Sequence, residues 1–410
     1  MALRHSFVFP ILASIFVLAA GMIPGVVLAQ LPASPHESPP PGFQKVSGLN
    51  LDLFRATGEF EQTIRSTDNL LQDSQSIKDI VSVTTAKMNL TGAIRDLKIT
   101  ASGKAVFEIP LERDDKKSDE IEYWVLGQYP VTDKLNLAAR YSIDEDEVEV
   151  SSADQINGSS DTSTVTESYI VKVGYAHDPY YTKFTGALAD VDTIDTSNSE
   201  LFELDRIEIN LTNETGRKAV GATWYGKFMV SQIDYTGSDD AVPQNRNSIG
   251  ASISFGLRRS FGPVNTEFEA TYLNREFEAS TIGSFVTFLG HADLHWSVDN
   301  ANSINFRVER LFLETSVLDS PGIIGKQATV SYRHTFRPDL YADISFVGQQ
   351  IHAVNSDSEI LGYVANAGVH YAVSNTSSLG LSSSYAEQKS DDDSQDTNET
   401  RYVVSFRYAF

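Results

Sequence analysis

With no cysteine in its 410 residues, this chain can do chemistry only through histidines, carboxylates and hydroxyls. Disulfides, thiolate metal sites and a thiol nucleophile are excluded. One arrangement has ligand-like spacing: His291, Asp293 and His295, alternate residues of a single stretch. On a strand that spacing puts all three side chains on one face, with donor types that zinc accepts. Successive side chains on such a face stand about 7 Å apart, however, too far for one tetrahedral metal. A charged network fits better: with neighbouring hairpins in register, Glu269 falls near His295, Arg307 near Asp293 and Glu309 near His291. No nucleophile–base pair stands out. His334 lies on the apolar phase of its segment, where a Ser/His pair could act on lipid and where a histidine also suits an interfacial belt. No Gly-rich phosphate loop is present. These residues predict no catalytic group, no resident metal and no cofactor.

The elements that must hold them read as hairpins. From about Leu49 onward the recurring period is two, the strand signature. Tyr402, Val404, Phe406, Tyr408 and Phe410 share one face, with Val403, Ser405, Arg407 and Ala409 on the other. Residues 286–298 and 328–337 alternate in the same way. Around residues 54–60 the alternation slips phase. Short turn-like connections fall at 91–92, 129–133, 177–179, 213–216, 261–263, 299–302, 337–339 and 374–376, rich in the residues that supply turn dihedrals. Between them lie longer acidic segments at 112–120, 144–161, 190–200, 237–247 and 391–399. Short turns at one end and long polar loops at the other predict an all-β fold: a transmembrane antiparallel up-and-down β-barrel of about 18 strands, or 16 if one hairpin is misread. A soluble β-sandwich also alternates, but does not need aromatics at so many strand ends.

Composition agrees. The net charge of −23 argues against nucleic acid, because phosphate binding needs a basic surface. The 22 phenylalanines and 17 tyrosines against four methionines lean towards strands. Beyond the N-terminus no apolar run reaches the length of about 18 residues that a helical span requires. Residues 1–29 read as a signal peptide: Arg4 at the start, an apolar stretch, then Val27-Leu28-Ala29 before a cut. Residues 30–47 form a Pro-rich periplasmic leader, and 48–410 the barrel.

The ending, from Arg401 to Phe410, resembles the C-terminal assembly signal of bacterial outer-membrane β-barrels. That signal wants a terminal Phe with an aromatic or apolar residue two before it, and Phe410 and Tyr408 match. It also favours Gly where Ser405 stands and a polar residue where Val403 stands. The segment 331–343, with its strand, Pro turn and strand, has the same cadence. The mature chain is similar to the large class of outer-membrane barrel porins, some members of which are tied to exopolysaccharide secretion. The resemblance implies a Gram-negative outer-membrane location, with membrane lipid, lipopolysaccharide and the barrel-assembly machinery as partners.

With the apolar phase facing lipid, the opposite phase lines the lumen. It holds Lys98, Lys104, Arg140, Lys172, Lys183, Arg206, Lys227, Arg258, Arg275, Arg307, Arg333, Arg337, Arg401 and Arg407. Its acids are Glu108, Asp144, Glu208, Glu267, Glu269, Asp293, Glu309 and Asp343, with His291 and His295 beside them. Bases outnumber acids, which reads either as a mildly cationic constriction for small polar or anionic solutes, or polysaccharide, or as charges of both signs bracing the wall. Asp293 can neutralise Arg307, leaving Arg333 as the expected free charge. The function classes are then a passive or export channel, a plugged structural or adhesive barrel, and a barrel lipid hydrolase. Acidic clusters at 144–147 and 391–393 could take calcium or magnesium weakly.

An even strand count returns the chain to its starting side, so both termini are expected in the periplasm. Epitope tags at residues 154–160 or 391–396 should bind antibody on whole cells, and tags at Asn300 or Pro338 should not. The reverse labelling pattern would refute the orientation.

Overall fold

In the computed structural model, the described residues are 48–51, 53–68, 78–111, 118–148, 162–195, 206–219, 221–235, 247–279, 282–313, 321–354, 359–390 and 396–410. Residues 1–47, where the signal peptide and leader are expected, and the middles of several acidic segments lie outside them. The strands are β1 Leu49–Leu51, β2 Phe54–Thr67, β3 Asp79–Ile94, β4 Leu97–Pro110, β5 Ser118–Pro130, β6 Leu135–Val148 and β7 Thr162–His177. There follow β8 Tyr180–Asp195, β9 Arg206–Ala219, β10 Ala222–Tyr235, β11 Ser248–Phe261, β12 Val264–Phe277 and β13 Ser284–Ser297. The last are β14 Asn302–Leu313, β15 Ile323–Arg337, β16 Leu340–Ala353, β17 Glu359–Ser374, β18 Ser377–Ser390 and β19 Thr397–Ala409.

Each strand from β2 to β19 pairs antiparallel with the next, and β19 pairs back onto β2, closing an 18-stranded barrel. The three-residue β1 pairs only with the start of β2. The register explains why these sequences form this wall. Opposed residues carry the same phase from strand to strand, as in Tyr272 opposite Phe288, Phe306 opposite Val330, and Leu381 opposite Val404. One phase therefore forms a continuous apolar exterior; Phe255, Phe288, Leu381 and Tyr402 are each 60% or more exposed. Aromatics gather at two levels of it. Tyr175, His177, Tyr180, Trp224, Phe261 and Trp296 sit by the short turns. Tyr123, Tyr141, Tyr169, Tyr272 and Phe288 sit nearer the long connections. These are the two interfacial girdles of a membrane-spanning barrel.

Several boundaries differ from the sequence expectation. Residues 213–216 are not a turn but the middle of β9, which runs on to Ala219. Thr91-Gly92 is likewise interior to β3, and the chain turns at Arg95, whose φ is 55°. Polar turn-forming residues mislead here: Glu214 and Gly216 lie on the inner face, which tolerates them in mid-strand, and Asn213 and Thr215 lie on the outer face towards the short turns. Residues 144–147 lie within β6 rather than in a loop. Arg337 leaves the lumen phase: a register shift between Thr335 and Arg337 places it opposite Leu340 and over the exposed Tyr371 ring, 5.7 Å from its centroid. The phase slip near residue 54 has a cause: the first stretch is two strands, β1 folding back on β2.

That fold-back completes the closure. β19 pairs with β2 from Arg401 opposite Thr67 to Ala409 opposite Glu59. Phe410 adds two backbone bonds to Gly58, each 3.0 Å. Where β19 ends, β1 takes over the same edge, from Leu49 opposite Ala56 to Leu51 opposite Phe54. The Phe410 ring lies directly against Gly58, where an added Cβ would collide with it. Deleting Phe410, or Gly58→Leu, should lower outer-membrane levels and the temperature at which the folded band converts to the unfolded one on gels. Wild-type levels and wild-type heat-modifiability in both variants would overturn this account of the seam.

Candidate functional site

The inner wall is built by the phase opposite the apolar exterior. The register puts Lys98, Lys104, Arg140, Lys172, Lys183, Arg206, Lys227, Arg258, Arg275, Glu267, Glu269, His291, Asp293, His295, Arg307, Glu309, Arg333, Asp343, Arg401 and Arg407 on that one face. Side chains of adjacent strands are close enough there for ion pairs to form rung by rung.

From β8 to β14 the rungs join into one network. Glu214 accepts from the Tyr181 hydroxyl at 2.9 Å, Lys183 Nζ at 3.1 Å and Arg258 at 3.4 Å. Arg258 Nε donates to Glu267 at 2.9 Å. The Tyr225 hydroxyl lies 2.8 Å from both Glu267 and Glu269, and Lys227 Nζ is 2.5 Å from Glu269. His291 stands 3.6 Å from Asp293, which Arg307 meets at 3.3 Å while donating to Glu309 at 2.7 Å. Two tyrosines are pinned flat in this network because the next strand offers a glycine beneath each ring. Tyr181 lies on Gly216 and Tyr225 on Gly256, and a Cβ at either glycine would enter the ring. Arg258 and Lys227 then cover the Tyr225 ring at 4.2 and 5.1 Å.

Around the seam Arg407 pairs with Glu61 at 2.8 Å and Glu59 at 3.1 Å, and Arg65 with Glu108 at 2.8 Å. Arg401 pairs with Glu399, Lys104 with Glu120, and Arg206 with Glu208 at 2.8 Å. Arg333 does not supply the free charge expected of it. It faces Asp343 at 3.9 Å and covers the Tyr341 ring at 4.4 Å, with His370 3.4 Å from the same carboxylate. Arg307 pairs with Asp293 as expected and Glu309 opposes His291, but Glu269 opposes His291 rather than His295. His295 bonds Asn305 instead. The four residues of register come from where the β12–β13 connection falls: β12 ends at Phe277 and β13 begins at Ser284, both earlier than the sequence suggested.

The cationic excess also shrinks. Glu59, Glu61, Glu120, Glu122, Glu214 and Glu399 all join the inner wall, Glu122 standing between Lys104 and Asp144. Sequence reasoning missed Glu214 by placing it in a turn, Glu59 and Glu61 through the phase slip, and Glu120 and Glu399 at loop margins. What remains is lopsided. Lys87, Lys98, Arg140 and Lys172, on β3, β4, β6 and β7, have no carboxylate partner among the described residues. Lys98 and Lys172 are exposed, and Arg140 rests over the Trp124 ring at 5.0 Å.

Glu267, Glu269 and His291 each bring a ligand atom within 4.8 Å of the others. Lys227 and Arg258 already hold the two carboxylates, so a cation entering here must displace two others. His334, on the outer face, meets Asn302 Oδ1 at 2.8 Å and packs against Phe336.

At the loop end the wall overlaps itself. The β13–β14 ladder stops at Gly290 opposite Arg310, although both strands run on. Past that point Phe312 and Ile324, of the outward phase, pack on Leu273, Phe285 and Leu289 of the inward phase, with the Phe285 and Phe312 rings 5.2 Å apart. The other side of the hairpin, Leu313 and Ile323, packs on Ile351, Ala353 and Ile360. The end of the β14–β15 hairpin therefore sits inside the wall and narrows the loop end on that side. Leu311-Phe312-Leu313 and Ile323-Ile324, apolar without alternation, carried the signal for a segment buried on both faces.

No curated protein matches the sequence. Among solved structures, Pseudomonas aeruginosa OccK9 (OpdG) superposes with a TM-score of 0.50 at 13% identity, covering 88% of this chain and 100% of that one. The outer membrane protein opdK from Pseudomonas aeruginosa gives 0.49 at 8% identity, over 87% of this chain and 99% of that one. At such identities the likeness is one of fold. The family model described as "Putative beta-barrel porin 2" matches residues 41–410. With that match running over nearly the whole length, the chain belongs to this family of porin-like barrels of the bacterial outer membrane.

Proposed function

We propose that the barrel is a channel for small polar solutes that favours anions, and that it carries out no covalent chemistry. The observation that carries this reading is the lopsided inner wall. On β8–β14 the acids are each held by lysine, arginine or tyrosine, while on β3–β7 the acids Glu120, Glu122 and Asp144 gather around Lys104 and leave Lys87, Lys98, Arg140 and Lys172 with no ion pair among the described residues. Eighteen strands enclose a lumen wide enough for water. Inside it, charges that are not neutralised by neighbours act on passing ions with little screening. Lys98, Arg140 and Lys172, rather than Arg333, then set the preference.

A second reading, the plugged structural barrel, is favoured by the inward β14–β15 hairpin end. That end packs on β12, β13, β16 and β17 among the described residues, which leaves the cationic sector of the wall unobstructed by it.

Proteoliposomes holding the purified protein should take up small anionic solutes faster than cationic ones of equal size. The double variant Arg140→Glu, Lys172→Glu should lower that ratio several-fold at unchanged heat-modifiability. Arg333→Glu should leave the ratio near wild type but destabilise the barrel by about 3 kcal/mol, because it strands Asp343 beside a like charge. Cation preference in the wild type, or a ratio that moves with Arg333 and not with Arg140 and Lys172, would reject the assignment.

A further inference from the structure

The outer face carries a second site, independent of what passes through the lumen. Arg217 on β9 and Arg259 on β11 both belong to the lipid-facing phase close to the short turns. Their rung partners are Trp224 and Leu257 for Arg217's row, and Ala222 and Thr266 for Arg259's. Both are exposed, and neither has a carboxylate partner among the described residues. Arg217 is propped against the Tyr180 ring, 5.6 Å from its centroid, and Arg259 against the Phe261 ring at 3.9 Å. A charge displayed at the membrane boundary without a protein counter-ion is complementary to a phosphate, and guanidinium is the side chain that grips phosphate with two donors.

Of the two, only Arg217 lines the exterior groove; Arg259 borders a different hollow. A hollow of about 750 Å³ lines the lumen side of the same hairpins, but the exterior has its own, of about 730 Å³. It runs from Arg217 between Trp224, Phe255 and Phe268, over Gly226 and Ala270. The walls are among the most exposed aromatics of the chain: Trp224 60%, Phe255 65% and Phe268 56%. The floor is low because Gly226 has no side chain and Ala270 has one carbon. A trough with aromatic walls, an apolar floor and a guanidinium at its membrane-boundary end has the shape and chemistry of one acyl chain joined to one phosphate.

We propose that this groove holds a glycerophospholipid of the inner leaflet, its phosphate on Arg217 and one acyl chain along Gly226 and Ala270. The short-turn end faces the periplasm, and there the leaflet is phospholipid. Arg259 has the same charge and exposure but does not line the groove, so it serves the general interfacial belt. The two arginines thus separate a built site from a generic one.

The test uses full-length protein, delipidated in detergent and titrated with dioleoyl-phosphatidylglycerol while bound lipid is counted by native mass spectrometry. Parallel titrations use dioleoylglycerol, inorganic phosphate and lipopolysaccharide. One phosphatidylglycerol per barrel should be retained, with dioleoylglycerol and phosphate each binding far more weakly. Arg217→Gln should weaken retention about tenfold, the loss of one charge-assisted hydrogen bond. Gly226→Leu should do the same by filling the groove, since a Cβ there meets nothing nearer than 3.8 Å and the wall need not move. Arg259→Gln should retain lipid like the wild type, and heat-modifiability should be the same in all. Equal retention in every variant, equal loss with Arg259→Gln, or preference for lipopolysaccharide or for free phosphate would each overturn the site.

Discussion

Lipid offers no hydrogen-bond partner, and every backbone group that crosses it must be satisfied by the chain itself. A sheet can meet that demand only by closing, so the rest of this structure depends on the seam between β19 and β2. The closure is made by main-chain bonds from Arg401 down to Phe410, and the short β1 occupies the edge that β19 leaves below Gly58. It explains why an aromatic ring at Phe410 lies against Gly58 and why Phe54 follows so soon after Leu51. Two strands, not one, have to share the edge of β2.

Closure also decides what the inner wall can be. Side chains on one phase are given to lipid, and the opposite phase must accept whatever polarity the sequence has left. Charges there face water, and opposite charges paired across neighbouring rungs contribute roughly 0.2–1 kcal/mol each. The network from Tyr181 to Glu309 is one such arrangement, with glycines set under the tyrosines so that the rings lie along the wall instead of across the lumen. On the proposed reading, bracing and selectivity, two roles for the same charges, occupy different sectors. The β8–β14 sector braces. The β3–β7 sector keeps cations that bracing does not use.

Much of this was legible in the sequence, for a physical reason. A two-residue period with one apolar phase survives in each strand because lipid tolerates few exceptions, so the strand count and most of the inner-wall residues could be read directly. The errors arose where that pressure is absent. The inner face does not punish Glu or Gly in mid-strand, and the outer face admits Asn213 and Thr215 towards the short turns, so residues 213–216 imitated a turn and hid Glu214, the acid on which Tyr181, Lys183 and Arg258 converge. Pairing across strands depends on where a connection falls, and a β12–β13 connection lying earlier in the chain moved Glu269 from His295 to His291. The β13–β14 overlap was readable in principle, since Leu311 to Leu313 break the alternation, but a run of three apolar residues has many meanings until its neighbours are known.

On the proposed reading the braced wall encloses an open, water-filled path past the inward hairpin end. Planar-bilayer recording from the purified full-length protein is the decisive measurement. Discrete, ohmic conductance steps from single barrels are expected, with a current that persists when salt is the only permeant species. Barrels that insert and remain folded but pass no current would contradict it and leave a closed structural barrel in its place.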